Sequence, residues 1–386
     1  MPNAAGWAIW PHGRSEMQRI DHVLPWSTLG TERTLSVFRF GTGERKAYIQ
    51  ASLHADELPG MRTAWELKKR LTELEQQGAL KGVVELVPVA NPLGLGQLLQ
   101  GAHQGRFEFG SGKNFNRDFT ELSEPVTELL EGQLGDDPRA NTQLIRQAMM
   151  TALEGLPAAQ SELQGMQRIL LKHACIADVV LDLHCDADAA LHMYALPQHW
   201  PQWRSLSAHL NIQVALLAED SGGSSFDEAC SLPWLRLSRT FPQAQIPLAC
   251  LATTIELGGQ ADTGKPQAQA HAEGILAFLA EQGFISGDWP QPAHQACEGL
   301  PFEGTELLYA PHPGVVTFLR AAGDKVEIGD ALFEVIDPLS DQVSTICANT
   351  AGVLFAIERL RYAQPGFWLA KVAGRTALRH GRLLSD

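Results

Sequence analysis

A histidine and a glutamate three residues apart, His54 and Glu57, follow the apolar run Ala47-Tyr48-Ile49-Gln50-Ala51-Ser52-Leu53 and precede a helical pattern that starts near Met61. At a strand-to-helix turn both side chains can point at one spot. Nitrogen and oxygen donors together suit a divalent metal, zinc first. The pair alone is a weak signal and needs a third ligand. His184 is the best candidate, because it ends a second apolar run, Ala177-Asp178-Val179-Val180-Leu181-Asp182-Leu183. Two histidines and one carboxylate leave a fourth zinc position for water, whose pKa falls to about 7 there. Hydrolysis also needs a carboxylate that moves protons without holding the metal. Glu256 fits that part: it closes the run from Ala249 to Ile255, and Gly258 and Gly259 let a substrate or loop approach closely.

Other polar residues could complete such a site. Asp182 shares a strand face with His184 and could orient it, or it could make an unrelated buried hydrogen bond. Arg117 could grip a substrate carboxylate through two parallel hydrogen bonds, with Asn116 beside it. Arg106, in Gly105-Arg106-Phe107, could polarise a scissile carbonyl. A surface salt bridge is the alternative for both arginines, and on the residues alone it is the favoured one for Arg106. Taken singly, a histidine at a strand end is more often satisfied or exposed than a ligand. His-x-x-Glu is common by chance, and a glutamate before glycines usually faces solvent. The joint case is better, because all of these residues follow predicted strands in an alternating chain.

The elements that would position them can be read in order. Thr34–Phe40 alternates as a strand, and 41–45 is a turn. Residues 47–53 form the next strand. Residues 61–77 form a helix with Leu67, Leu71 and Leu74 on one side, and 83–89 form a third strand ending in the turn Asn91-Pro92-Leu93-Gly94. Strand, helix, strand predicts a βαβ unit, with ligands outside the carboxyl ends of the strands. Residues 94–118 are glycine-rich and polar. Residues 120–172 read as one or two helices broken near Gly135-Asp136-Asp137-Pro138. A strand over 190–196 is expected beside 177–184. The loop 220–225 is expected at a pocket rim, and 267–282 as a helix.

At Ser286-Gly287-Asp288-Trp289-Pro290-Gln291-Pro292 the composition changes, and short strands with glycine turns follow. Ala310-Pro311-His312-Pro313-Gly314-Val315-Val316 weakly repeats as Ala348-Asn349-Thr350-Ala351-Gly352-Val353-Leu354, which predicts a small all-β domain of two similar halves. The expected organisation is a lead-in (1–33), an α/β catalytic domain with a mixed, mostly parallel sheet flanked by helices (34–285), a linker (286–300) and a β-barrel (301–386).

The bulk numbers agree with a soluble globular protein. The chain has 386 residues, 45 % hydrophobic and 19 % charged, enough for a sizeable core. Thirty basic against 44 acidic residues give −14, so no basic field favours nucleic acid. The six cysteines form no CxxC pair and are expected as reduced thiols. Neither a signal peptide nor an apolar run of about 18 residues is evident, so a cytoplasmic location is expected.

His54-x-x-Glu57, Asn91-Pro92, Asn116-Arg117, Asp182-Leu183-His184 and Glu256 together resemble, in order and context, the succinylglutamate desuccinylase/aspartoacylase family, over about residues 34–285. That family is similar in fold to the zinc carboxypeptidases. The resemblance implies one Zn2+ per chain on His54, Glu57 and His184. It implies Glu256 as general base and acid, and Asn116 and Arg117 as binders of a substrate carboxylate. Arg106 resembles the family's carbonyl-polarising arginine, though the spacing from Arg106 to Asn116 is not a close match. A long helical stretch between Arg117 and His184, and Asn116-Arg117-Asp118-Phe119, which resembles the carboxypeptidase Asn-Arg-x-Phe, leave the substrate open. The C-terminal part resembles a biotinyl/lipoyl-type barrel through Gly323-Asp324-Lys325-Val326-Glu327-Ile328-Gly329-Asp330-Ala331-Leu332. The turn Asp337-Pro338-Leu339-Ser340-Asp341 lacks the modified lysine. An unmodified barrel is expected, packing on the catalytic domain, shaping the substrate entrance or making homo-oligomer contacts. The function expected is metal-assisted hydrolysis of an N-acyl amino acid or similar small amide. The rivals are a carboxypeptidase or peptide amidase with the same site, and a non-catalytic binding or scaffold protein.

Overall fold

The computed structural model describes residues 17–383. The first sixteen residues of the expected lead-in lie outside them. The rest of that segment is not a mere lead-in. Gln18–Val23 forms strand β1, paired antiparallel with β2 (Thr34–Phe40) at the edge of the main sheet. Its pattern is mostly exposed, as suits an edge strand, and gives little sequence signal.

Strand β3 (Lys46–Ala51) leads through the His54–Glu57 turn into helix α1 (Leu58–Gln76), and β4 (Val83–Val87) follows. Pro59 sits in the first turn of α1, where its missing N–H has no helical partner to lose. Leu67, Leu71 and Leu74 are the buried face. The predicted Asn91-Pro92 turn is a short helix, α2 (Pro92–Leu95), capped by Asn91. A small hairpin, β5 (Leu98–Leu99) with β6 (Ala102–His103), lies in the glycine-rich stretch. The helical region holds three helices: α3 (Ser123–Leu130), α4 (Pro138–Glu154) and α5 (Glu162–Ala174). Then come β7 (Val179–Asp186), β8 (Asp188–Ala189), β9 (His192–Ala195), α6 (Trp200–Leu210) and β10 (Val214–Leu217). Helix α7 (Phe226–Thr240), β11 (Leu251–Gly259), α8 (Lys265–Glu281) and β12 (Gly299–Pro301) complete this layer.

The nine strands run in the order β1-β2-β4-β3-β7-β11-β9-β10-β12. Pairing is parallel from β4 through β3 and β7 to β11, and antiparallel between β11 and β9. The expected adjacency of the 190–196 strand to β7 is therefore wrong by one place, because β11 lies between them. Helices α3, α4, α5 and α7 pack on one face around Phe115, Met149, Leu170 and Trp234, and α1, α6 and α8 cover the other around Leu67, Leu206 and Ile275. Burial on both faces explains why the central strands read as continuous apolar runs.

Beyond residue 300 the strands are antiparallel. One sheet runs β13 (Thr305–Tyr309), β20 (Trp368–Ala373), β18 (Gly352–Ile357), β15 (Lys325–Val326), and the other β17 (Gln342–Cys347), β16 (Ala331–Asp337), β14 (Gly314–Phe318), β19 (Tyr362–Ala363). They share a core of Leu308, Phe333, Leu354 and Leu369. This region does not stand apart: β8, directly after the His184 strand, pairs with β18.

Candidate metal centre and active site

The strand ends converge because of two close backbone approaches. A Cβ on Gly60 would lie 2.6 Å from the Leu183 carbonyl, so only glycine lets the start of α1 press against the strand that carries His184. A Cβ on Gly105 would lie 2.0 Å from the Asp56 N atom, and Gly105 O accepts the Ala55 N–H at 3.0 Å. The Arg106 loop therefore lies directly on the His54–Glu57 turn. Asn91 adds a clamp, donating to Leu53 O at 2.9 Å just before His54. Ser52, buried at φ 60°, holds a left-handed kink between β3 and that turn.

His54, Glu57 and His184 are all buried, and one donor atom of each lies within 4.8 Å of the others. His54 Nδ1 is 2.9 Å from Glu57 Oε1, and His184 Nδ1 is 2.7 Å from Glu57 Oε2. The far nitrogens settle what faces the centre. Asn114 Oδ1 accepts the Asn116 N–H at 2.9 Å, which fixes that atom as an oxygen acceptor. His54 Nε2, 2.8 Å from the same oxygen, must then donate, and its Nδ1 keeps a lone pair toward Glu57. His184 Nε2 lies 3.0 Å from Asp182 Oδ2, close enough for a charge contact though off hydrogen-bonding geometry. Both rings turn Nδ1 toward the Glu57 carboxylate, which gathers nitrogen and oxygen donors around one point. The donor set therefore fits a divalent metal, and the group could hold one ion. Burial works against charge on Glu57, yet the two imidazoles hold its carboxyl well below the ordinary range.

Asp182 lies on the same strand face as His184 and also makes a separate buried hydrogen bond. Its other oxygen accepts from Gln50 Nε2 at 2.9 Å, and Tyr48 OH donates to Gln50 Oε1 at 2.9 Å. Register extends this row, since Asp182 sits opposite Thr254 and Thr254 opposite Tyr194. One step toward the strand ends, His184 sits opposite Glu256 and Glu256 opposite His192. Glu256 thus comes beside the candidate metal ligands, with Oε2 buried and unpartnered among the described residues. Burial first, then the Glu57 charge, pushes its carboxyl up to about 8.

Arg106 Nη1 is 3.3 Å from His54 Nδ1 and 3.6 Å from Glu57 Oε1, so it reaches the centre rather than the surface. Arg117 is buried, and its Nη1 donates to Asn116 O at 2.7 Å. Burial, then the charges of Arg106 and Arg382, lowers its guanidinium to about 10, against Glu228 and Asp227. Asn116 Oδ1 accepts the Phe226 N–H at 2.8 Å, tying the polar loop to the start of α7. All seven candidate residues line one cavity of about 1090 Å3, together with Ser221 and Ser225 of the predicted rim loop. Sequence reasoning missed Asn114, a neutral amide without periodic signal. It also missed the contribution of Tyr194, Phe302, Phe355 and Lys371, which line the same cavity. Lys371 Nζ bridges to Asp186 Oδ2 at 2.6 Å, from β20 to the end of the His184 strand. Among the described residues no helix is long and apolar enough to cross a membrane.

No sequence-family model and no curated protein matches the chain. Solved structures do. A succinylglutamate desuccinylase/aspartoacylase family protein from Shewanella amazonensis superposes with TM-score 0.83 at 26 % identity, covering 92 % of this chain and 98 % of that one. A succinylglutamate desuccinylase/aspartoacylase from Shewanella frigidimarina gives 0.83 at 23 % identity, covering 93 % and 97 %. The ectoine utilization protein EutE (DoeB) from Ruegeria pomeroyi, in a product-bound structure, gives 0.68 at 15 % identity, covering 95 % and 97 %. Over nearly its whole length the chain shares the fold of these succinylglutamate desuccinylase/aspartoacylase family structures.

Proposed function

We propose that the protein is a zinc-dependent hydrolase that removes the acyl group from an N-acyl amino acid or a similar small amide. The observation that carries this reading is the convergence of His54 Nδ1 and His184 Nδ1 on Glu57, with both far nitrogens facing oxygen acceptors. Such a zinc ion, when bound, supplies Lewis acidity that polarises a carbonyl and lets water ionise near neutral pH. The chain's own groups do the rest. Glu256, with a free buried oxygen and a raised pKa, takes a proton from the attacking water and returns it to the leaving amine. Arg106 stabilises charge that develops on the carbonyl oxygen. Arg117 and the side-chain Nδ2 of Asn116 hold the substrate's α-carboxylate, which fixes the amide over the centre.

The test is a panel of N-acyl amino acids and short peptides, assayed before and after chelator treatment and after zinc is restored. Deacylation that is lost with the metal and recovered with zinc is expected. Rapid peptide cleavage without deacylation would move the assignment to a carboxypeptidase. Activity indifferent to chelation would end the hydrolase reading.

A further inference from the structure

Tyr194, on β9, lines the cavity together with Glu256. Across the antiparallel pair of β11 and β9, Thr254 sits opposite Tyr194 and Glu256 opposite His192, so Tyr194, His192 and Glu256 share one face of the sheet. The Tyr194 side chain leans along β9 toward His192, and therefore toward the end of β11 where Glu256 stands. Its Oη lies 3.4 Å from His192 Nε2. Two rings from the C-terminal part hold the pair edge-on: Phe302 against Tyr194 at 5.0 Å between centroids, and Phe355 against His192 at 4.8 Å.

A chain of hydrogen bonds fixes the polarity of the phenol. His192 Nδ1 is 2.9 Å from Ala190 O, a carbonyl that only accepts, so Nδ1 carries the proton. His192 is fully buried, and burial pushes its pKa down to about 4 against the opposing pull of Asp186, so the ring is neutral near neutral pH. Its Nε2 is then a bare lone pair and takes the Tyr194 O–H. The phenol keeps that proton, because burial first, and then the Glu256 charge, raise its pKa well above the ordinary range. With its one proton committed to His192, Tyr194 Oη presents only lone pairs to the cavity, and among the described residues no N–H or O–H donates to it. An oxygen of this polarity repels a carboxylate and suits a donor.

We infer that Tyr194 Oη accepts the N–H of the scissile amide and keeps hold of it as that nitrogen becomes the leaving amine. The inference rests on the deacylase reading and makes Tyr194 the residue that selects an amide over an ester. As the C–N bond breaks, Glu256 returns to nitrogen the proton taken from water, and the original N–H departs with the amine from Tyr194. The contact strengthens as the nitrogen gains positive character, so it favours the transition state over the bound substrate.

The test pairs each N-acyl amino acid of the deacylation panel with the O-acyl ester of the matching 2-hydroxy acid, for example N-acetylalanine with O-acetyllactate, on the zinc-loaded enzyme. The ester keeps the carbonyl and the carboxylate and lacks the N–H. Tyr194→Phe, which removes only the hydroxyl, should lose about 5- to 50-fold in kcat/KM on the amides, chiefly in kcat, the range of one hydrogen bond to a group gaining charge. On the esters it should stay within about twofold of wild type, since they make no such bond. An equal loss on amide and ester, or no loss on the amide, overturns the inference and leaves the deacylase reading standing. A wild type that cleaves none of the amides overturns the deacylase reading and the inference with it.

Discussion

Replacing Asn114 by leucine should weaken the metal site without touching a ligand. Asn114 Oδ1 accepts two N–H groups, from His54 Nε2 at 2.8 Å and from the Asn116 backbone at 2.9 Å, in a buried setting. Leucine is near in size and accepts neither. The His54 imidazole then loses the partner that keeps its proton on Nε2 and its lone pair on Nδ1. Outer partners of this kind are worth about 10- to 100-fold in metal affinity, or ~1.4–2.8 kcal/mol. A separate loss of ~1–3 kcal/mol in the metal-free protein is expected from the orphaned Asn116 N–H. Competition titration with a chromophoric zinc chelator measures the first, and urea unfolding with chelator present measures the second. Asn114→Asp is the control. Its carboxylate accepts both N–H groups and raises imidazole basicity, so zinc affinity should equal or exceed that of wild type. Equal zinc affinity in wild type and Asn114→Leu would refute the tautomer argument, and with it the reason for assigning a cation to this cluster.

Glu256→Gln should keep stoichiometric zinc, since Glu256 is no ligand in this account, and lose about 100- to 10,000-fold in kcat; co-loss of metal and activity would instead make Glu256 a ligand. Acid stability should depend on Glu85, at the other end of the sheet. Burial opposes its charge, but His173 at 2.8 Å and Lys46 at 2.6 Å prevail and hold its carboxyl down to about 2. A depressed pKa contributes stability above the unfolded value of 4.5 that is lost as pH falls toward 2. With chelator present, wild type should therefore lose on the order of 3 kcal/mol more than Glu85→Gln across that window. Parallel acid-unfolding curves for the two proteins would remove the basis for that shift.

The candidate site residues were legible because each stands where an apolar run stops, and parallel central strands buried on both faces give long runs. His54, Glu57, His184 and Glu256 are all of this kind. Strand order was not legible: β9 pairs with β11 rather than β7 because tertiary pairing decides adjacency, and the local pattern of 190–196 holds no trace of it. The edge strand β1 gave little signal because four of its six residues are exposed and none is buried. Asn114 was silent for another reason. Its role comes from geometry set by the glycine-rich loop, which has no period. The cavity lining joins residues more than a hundred positions apart in sequence, such as Asp186 and Lys371, and only folding brings them together.

The most direct test of the central claim is a crystal of the zinc-loaded protein, soaked with an N-acyl amino acid and measured at the zinc absorption edge. The account predicts one anomalous peak, roughly 2.0–2.2 Å from His54 Nδ1, His184 Nδ1 and a Glu57 oxygen, with the ligand's α-carboxylate on Arg117. A zinc peak elsewhere, or none, would contradict it.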